Sequence, residues 1–340
     1  MDWRIARSSF WRLPVGNGAD VIEQCLSGGI EILRKIWAEL LSMDKTFLIG
    51  LGAQKAGTTW LHHCLAQSPE YDYWFAKEWR ILEAFCNQGS RANLKRRMKN
   101  QIEIRRRDRR FGLFRSRRTS RELLEWEKRL ECLQTVEEAL SEKFAKFARE
   151  SSCKVLGDLS PANGQLNADQ LKVGVELARQ HGLKTRFVLR MRDPLSRLKS
   201  GLSHRLKREA KLKGEKEIPY MRGLDFDSLA RKHSWGLIER SDYKQMIQGV
   251  EEVACADDLF CCFFEDAFTQ ESFESFSEFL GINPVQIERQ PKNVSRVGIE
   301  LKGETEKSLV NEMRPIYDFM VSRFGSKVEH LWASSLRLLD

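Results

Sequence analysis

The feature that most limits what this chain can become is a short apolar run that breaks into a glycine turn and restarts as a helix. Thr46-Phe-Leu-Ile-Gly50 has the length and composition of a buried strand. Gly52-Ala-Gln-Lys-Ala-Gly57 is a turn with glycine at both ends, and Thr58 to Ala66 repeats apolar residues at helical spacing before stopping at Ser68-Pro69. Strand, tight turn and helix make the βα unit of a parallel sheet. The same arrangement aims successive backbone N–H groups and the positive end of a helix at one point in front of the sheet, which is where an anion is held.

Two familiar uses of such a turn do not fit. A Mg-nucleotide loop needs lysine directly after the second glycine, and here that position is Thr58 while the lysine sits at 55, inside the turn. A dinucleotide fingerprint needs a third small residue for close helix–strand approach. Gly50-x-Gly52-x-x-Lys55 puts a long cation there, although Asp72 is spaced for a ribose contact.

Further apolar runs bounded by polar turns recur at Tyr71–Ala76, Lys154–Gly157, Arg186–Met191 and Leu259–Phe264, and each is expected to be a strand. Helical spacing fills 120–150, 168–181, 195–213, 226–252, 270–281 and 304–324. The alternation predicts an α/β fold, a central parallel sheet of about five strands with helices on both faces. An earlier helical pattern over 20–42 predicts an extension, so the expected division is a helical segment 1–44 ahead of a main domain at 45–340. That domain carries a helical, basic insertion near 86–150. With 340 residues, only 8 Pro and 22 Gly, and 41% apolar residues, the chain is neither collagenous nor of low complexity.

A second anion site is expected where the run Arg186–Met191 ends. Arg192-Asp-Pro-Leu-Ser-Arg197-Leu-Lys-Ser200 follows it directly, and Pro194 suits the first turn of a helix. Arg197 and Ser200 lie three residues apart and are expected to share a face with Arg192.

Together the two segments resemble the sulfotransferases that use 3′-phosphoadenosine 5′-phosphosulfate (PAPS), on the side of the carbohydrate and bacterial branch. Gln54-Lys-Ala-Gly-Thr-Thr-Trp-Leu61 is similar to their 5′-phosphosulfate loop, and Arg192-Asp-Pro-x-x-Arg197-x-x-Ser200 to their 3′-phosphate segment. Weaker likenesses follow in order at Lys77-Glu78, Gly157-Asp-Leu-Ser-Pro161, Glu239-Arg-Ser-Asp-Tyr243, Phe264-Glu-Asp266 and Asn293-Val-Ser295. The resemblance implies a P-loop-like sulfotransferase fold, PAPS as donor, 3′-phosphoadenosine 5′-phosphate as product and no metal. It implies that Lys55 stabilises the leaving oxygen and that Ala56, Gly57, Thr58 and Thr59 hold the 5′-phosphate. Trp60 is expected behind that loop, at the edge of the cofactor site. Arg192, Arg197 and Ser200 would grip the 3′-phosphate, Asn293, Ser295 and Arg296 would lie near the adenine, and Glu78 would take the acceptor's proton. His62 and His63 are weaker candidates for a base, and His204 for a cofactor contact.

Two departures stand out. Leu159 occupies a place where the glycan-acting branch often has lysine, so a second catalytic cation must come from elsewhere. Ile81 and Leu82 replace an aromatic pair, which leaves the acceptor floor unassigned. The reaction implied is metal-free, in-line transfer of a sulfuryl group to a hydroxyl or amine. The alternatives are a non-catalytic polyanion-binding protein on the same fold and a P-loop kinase, the latter disfavoured by the displaced lysine.

Charge adds a hint about the acceptor. The formal net charge is +9, yet residues 91–118 hold 13 Lys and Arg against 2 acids and the other 312 residues sum to −2. Such a segment attracts polyanions, so an anionic acceptor, a glycan among them, is expected. Phe111 and Phe114 are too few aromatics for base stacking, which argues against nucleic acid. The amino terminus lacks the apolar core of a secretory signal, and no apolar run reaches the roughly 20 residues of a membrane span. Eight cysteines without a CxxC pair fit a reducing compartment, so a cytoplasmic enzyme is expected.

Overall fold

The computed structural model describes residues 45–110, 117–287 and 298–339. The expected extension 1–44 and the segment Asn293, Ser295 and Arg296 lie outside the described residues. Five strands form one sheet: β1 (Thr46–Gly52), β2 (Tyr71–Asp72), β3 (Val155–Asp158), β4 (Lys184–Met191) and β5 (Leu259–Phe263). Their order across the sheet is β2-β3-β1-β4-β5, and every pairing is parallel.

Helices fill the crossovers, as parallel neighbours require. Helix α1 (Thr58–Leu65) links β1 to β2. The insertion before β3 is α2 (Ile81–Cys86), α3 (Gln88–Arg110), α4 (Arg117–Cys132) and α5 (Val136–Glu150), and α6 (Ala168–Gln180) joins β3 to β4. After β4 come α7 (Pro194–Lys213), α8 (Glu217–Arg222), α9 (Phe226–Ile238) and α10 (Tyr243–Glu251). Helix α11 (Gln270–Leu280) follows β5, and α12 (Gly303–Glu312) and α13 (Arg314–Phe324) lead into the carboxyl-terminal turns.

The sheet is covered on both faces, and its central strand β1, apolar but for Thr46, has all seven residues buried. Alternation along the strands divides the core in two. Phe47, Ile49 and Leu51 of β1, with Phe187, Leu189 and Met191 of β4, pack against Phe144 of α5, Leu171 of α6 and Val250 of α10. Leu48 and Val188 face the other way, against Leu61 and Leu65 of α1 and Phe273 and Phe276 of α11.

The structure corrects four boundaries, the first being the helix expected over 120–150, which is broken at 133–135 into α4 and α5. The strand expected over Tyr71–Ala76 stops at Asp72, because the Trp74 N–H bonds to Asp72 Oδ1 at 2.8 Å and Trp74 turns to φ 57°. The helix expected over 226–252 is two helices, since Asp242 accepts the Gln245 N–H and starts α10 afresh. The helix expected over 304–324 breaks at Met313, ahead of Pro315 in the first turn of α13.

Strands β1 and β4 are neighbours, yet the chain leaves β1 toward β2 and β3 and leaves β4 toward β5 on the opposite side. Their carboxyl ends therefore splay two connections apart, and an open α/β sheet binds ligands in such a crevice. Both sequence motifs sit there.

Candidate active site

The loop after β1 is shaped by its backbone. Lys55 adopts φ 74° and Gly57 φ 83°, both left-handed, so the chain turns sharply into α1. Gly57 is the N-cap of α1 and offers no side chain to bond the first-turn N–H groups, which have no carbonyl partner within a helix. A Cβ at Gly57 would lie 3.1 Å from Arg190 Nη2 and 3.2 Å from Phe268 Cζ, a tight fit, and the positive φ itself favours glycine.

Two arginines of the β4 end turn the loop carbonyls inward. Arg190 Nε donates to Ala56 O at 3.0 Å, and Arg192 Nη1 donates to Lys55 O at 3.2 Å. Arg190 is 1% exposed and lies between the rings of Trp60 and Phe268, with centroids 5.1 and 5.2 Å away. Its Nη2 has no hydrogen-bond partner, and burial lowers its pKa. A buried guanidinium with no acid bonded to it, directly behind Gly57, is positive charge held under the loop. Sequence patterning missed it because an arginine inside an apolar strand reads as an interruption.

Arg192 is anchored differently. Its N–H donates to Tyr243 Oη at 3.1 Å, the Tyr243 hydroxyl donates back to Arg192 O at 2.7 Å, and its guanidinium lies 4.3 Å from the centre of the Phe264 ring. Asp193 caps α7 by accepting the Ser196 N–H and also accepts from the Tyr317 hydroxyl at 2.8 Å.

Glu78 reaches the same place from a rigid extended segment. Asp158 Oδ1 accepts the Trp79 N–H at 3.0 Å, the Leu159 N–H donates to Lys77 O at 3.0 Å, and Ser160 Oγ accepts the Arg80 N–H at 3.1 Å. From the insertion, Arg129 of α4 donates to Trp79 O at 2.9 Å and Glu78 O at 2.5 Å. Burial pushes the Asp158 carboxyl up to about 6, against the pull of hydrogen bonds from Ser160, Trp79 and Asn163. The Glu78 carboxylate then sits 2.8 Å from Lys77 Nζ, which also donates to Thr58 Oγ1 at 2.9 Å. Lys77 thus joins the loop helix to the carboxylate.

These parts line one cavity of about 920 Å³, near the upper end for small-molecule sites. Lys55, Gly57, Thr58, Thr59, Trp60, Glu78, Arg192 and Ser200 all line it. Along α7 the lining residues are Ser196, Lys199, Ser200, Ser203, His204, Lys207 and Arg208, a single stripe at helical spacing. Burial, then the charges of Lys207 and Arg192, lower the pKa of Lys55. His204 shifts down too, mainly by burial and then by Lys55. Pro161, Ala162 and Gln165 line the cavity, whereas Ile81 and Leu82 are buried in the core.

Several expected site residues lie elsewhere. Arg197 is off the α7 stripe and fully buried; it donates to Ser241 Oγ and Leu237 O, and burial pulls it down to about 10. Its role is to hold α7 against α9. Ala56 is buried, with its carbonyl taken by Arg190 and its N–H donating to Ala53 O at 3.2 Å. Trp60 still lines the cavity, but at 3% exposed and edge-on to Phe268 it supports the loop mainly from behind. His62 is buried outside the cavity with Tyr73 edge-on at 4.7 Å, and burial takes it down to about 3. Of the basic stretch 91–118, Arg97 is the described side chain that lines the cavity, while Arg105 and Arg106 pair with Glu122 and Glu127 of α4.

Among the described residues no group of three or more His, Cys, Asp or Glu is placed to hold a metal, and no helix is long and apolar enough to cross a membrane. Protein-family models and curated proteins give no match to this chain. Solved structures similar to it include a sulfotransferase from Alicyclobacillus acidocaldarius, at 11% identity and TM-score 0.45, covering 82% of this chain and 94% of that one. The sulfotransferase domain of the Synechococcus PCC 7002 olefin synthase matches at 15% identity and TM-score 0.38, covering 79% and 86%. The sulfotransferase domain from the curacin biosynthetic pathway matches at 14% and 0.35, covering 80% and 90%. The residues of the cavity itself carry the functional reading.

Proposed function

We propose that the chain is a sulfotransferase that moves a sulfuryl group from PAPS to a hydroxyl or amine of an acceptor. One observation carries the reading. The anion cradle at Gly57–Thr59 and the carboxylate of Glu78 are joined by Lys77, which bonds both Thr58 Oγ1 and Glu78 Oε1. An anion-holding loop beside an acceptor-side base is the minimum such a transfer needs.

The donor set fits a nucleotide with two separated phosphate groups. The free N–H groups of the first turn of α1, the Thr58 and Thr59 hydroxyls and the Lys55 ammonium suit one of them. Arg192 and Ser200, on the next strand-to-helix turn, suit the other. PAPS, when bound, supplies an activated sulfuryl group and a good leaving group. Lys55 places positive charge where negative charge grows on the leaving oxygen, and the N–H groups of the loop add fixed dipoles there. Glu78 accepts the proton lost by the acceptor as its new S–O or S–N bond forms. Lys77 and the backbone clamp of Asp158 and Arg129 hold that carboxylate in place, so positioning costs nothing at the moment of transfer.

The test is transfer of labelled sulfur from PAPS to a panel of phenols, alcohols, amines, neutral glycans and acidic glycans. Label is expected in at least one acceptor with wild-type protein. Lys55→Ala and Glu78→Gln are each expected to lower turnover by about 10²-fold or more, with product nucleotide still bound by the Glu78 variant. Binding of the product nucleotide with no label in any acceptor would support a non-catalytic polyanion-binding protein instead.

A further inference from the structure

The cavity holds more positive charge than a donor of this kind neutralises. Its wall carries nine Lys and Arg side chains against one carboxylate, Glu78. Four of the nine are paired with acids: Lys77 with Glu78, Arg80 with Glu83, Lys199 with Glu306 and Lys207 with Glu217. Lys55, Arg97, Arg192, Arg208 and Arg240 have no ion-pair partner among the described residues. Lys55 and Arg192 are assigned to the donor, whose two ends bring roughly four negative charges, about one fewer than the five unpaired cations of the wall.

Three of the guanidiniums form a group of their own. Arg240 extends from the turn after α9, and its Nη1 donates to Gln54 Oε1 at 2.5 Å, which fixes it beside the loop residue that precedes Lys55. Burial lowers its pKa, the Glu239 and Glu83 carboxylates act to raise it, and the like charges of Arg80 and Arg97, which line the same cavity, add to the lowering. Arg80 lies two residues beyond Glu78, with φ 58° at the N-cap of α2 and its fork held by Glu83 at 2.7 and 3.0 Å. Arg97 arrives from α3, on the insertion. Like charges brought together from three segments repel one another, and a bound anion is what offsets that cost. Planar guanidinium forks suit the paired oxygens of carboxylate, phosphate and sulfate groups.

We propose that the acceptor is itself an anion, and that Arg80, Arg97 and Arg240 receive its acidic group, a carboxylate, phosphate ester or sulfate ester set apart from the atom that accepts the sulfuryl group. This rests on the donor reading above. It also gives the basic stretch a part in the site: of its described side chains, Arg97 lines the cavity.

The test saturates the full chain with 3′-phosphoadenosine 5′-phosphate and then titrates glucose 6-sulfate, glucose 6-phosphate and glucuronate, with glucose as the uncharged control, by saturation-transfer NMR. At least one charged sugar is expected to bind about tenfold or more tightly than glucose, and the rank of the three shows which acid the receptor prefers. Arg97→Gln with Arg240→Gln is expected to abolish that preference. Arg96→Gln with Lys99→Gln removes equal charge from the same helix outside the cavity and is expected to change it less than about threefold. Arg97→Gln alone, at an exposed helix position, keeps the comparison if the double variant fails to fold. Equal binding of charged and neutral sugars, or equal behaviour of the two double variants, overturns the proposal while leaving the donor reading intact. Failure of the nucleotide to bind at the first step overturns both.

Discussion

At the residue scale the site depends on charges whose surroundings differ sharply. Lys55 and Arg192 face the cavity, whereas Arg190 sits behind the loop with Nη2 unpartnered. Replacing a buried charge with an apolar side chain of similar length is often neutral or stabilising, because no desolvation cost remains. Arg190→Met is therefore expected to keep or raise the melting temperature while weakening product-nucleotide binding by about tenfold, or about 1.4 kcal/mol. Scanning calorimetry with a nucleotide titration checks this, and lost stability with unchanged affinity would contradict it. Lys55, Thr58, Glu78, Arg192 and Ser200 were legible in the sequence through the motif resemblance that singled them out, and all five line the cavity. Arg197 was misplaced because its offset along α7 puts it beside Gly201, on the stripe that faces α9. Lys77 and Arg240 were missed as site residues, since only the folded chain brings them to the loop.

At the scale of elements, the five strands were legible where the apolar run was long, as in β1 and β4. The two-residue β2 was overread because Tyr71–Ala76 is aromatic-rich, and those rings pack in a turn rather than a ladder. Helix α1 offers a check on this packing. His62 is held down to about 3, so below its ordinary value near 6.5 the unfolded chain takes up a proton that the folded chain does not. Its contribution to stability is present above pH 6.5 and lost as pH falls toward 3. Between pH 6.5 and 4.5 that loss is about 2–3 kcal/mol. Asp158, raised to about 6, acts with the opposite sign between about 4 and 6, so the wild-type curve alone mixes the two. His62→Phe removes one of them. Urea unfolding is expected to show the variant losing about 2 kcal/mol less than wild type over that interval, and identical slopes would mean that His62 titrates normally.

Across the whole molecule, net charge and active-site charge separate. The +9 of the chain comes from an insertion whose arginines are partly paired with α4 and of whose described side chains Arg97 lines the cavity, while the other cavity cations come from the loop after β1, the Lys77–Arg80 segment, the turn after β4, α7 and the turn after α9. That convergence was not legible in composition, because residues more than a hundred positions apart meet only when β1 and β4 become neighbours. The insertion also has a structural duty that its charge conceals: Arg129 of α4 holds the backbone of Glu78 and Trp79. The central claim is that two strand-to-helix turns hold one nucleotide by two phosphates without a divalent cation. Calorimetric titration in a chelating buffer, comparing 3′-phosphoadenosine 5′-phosphate with adenosine 5′-monophosphate, tests it most directly. The bisphosphate is expected to bind about 100-fold more tightly, the roughly 2.7 kcal/mol of a charge-assisted contact set at Arg192 and Ser200. Equal affinity for the two nucleotides, or tighter binding of Mg-ATP than of either, would contradict it.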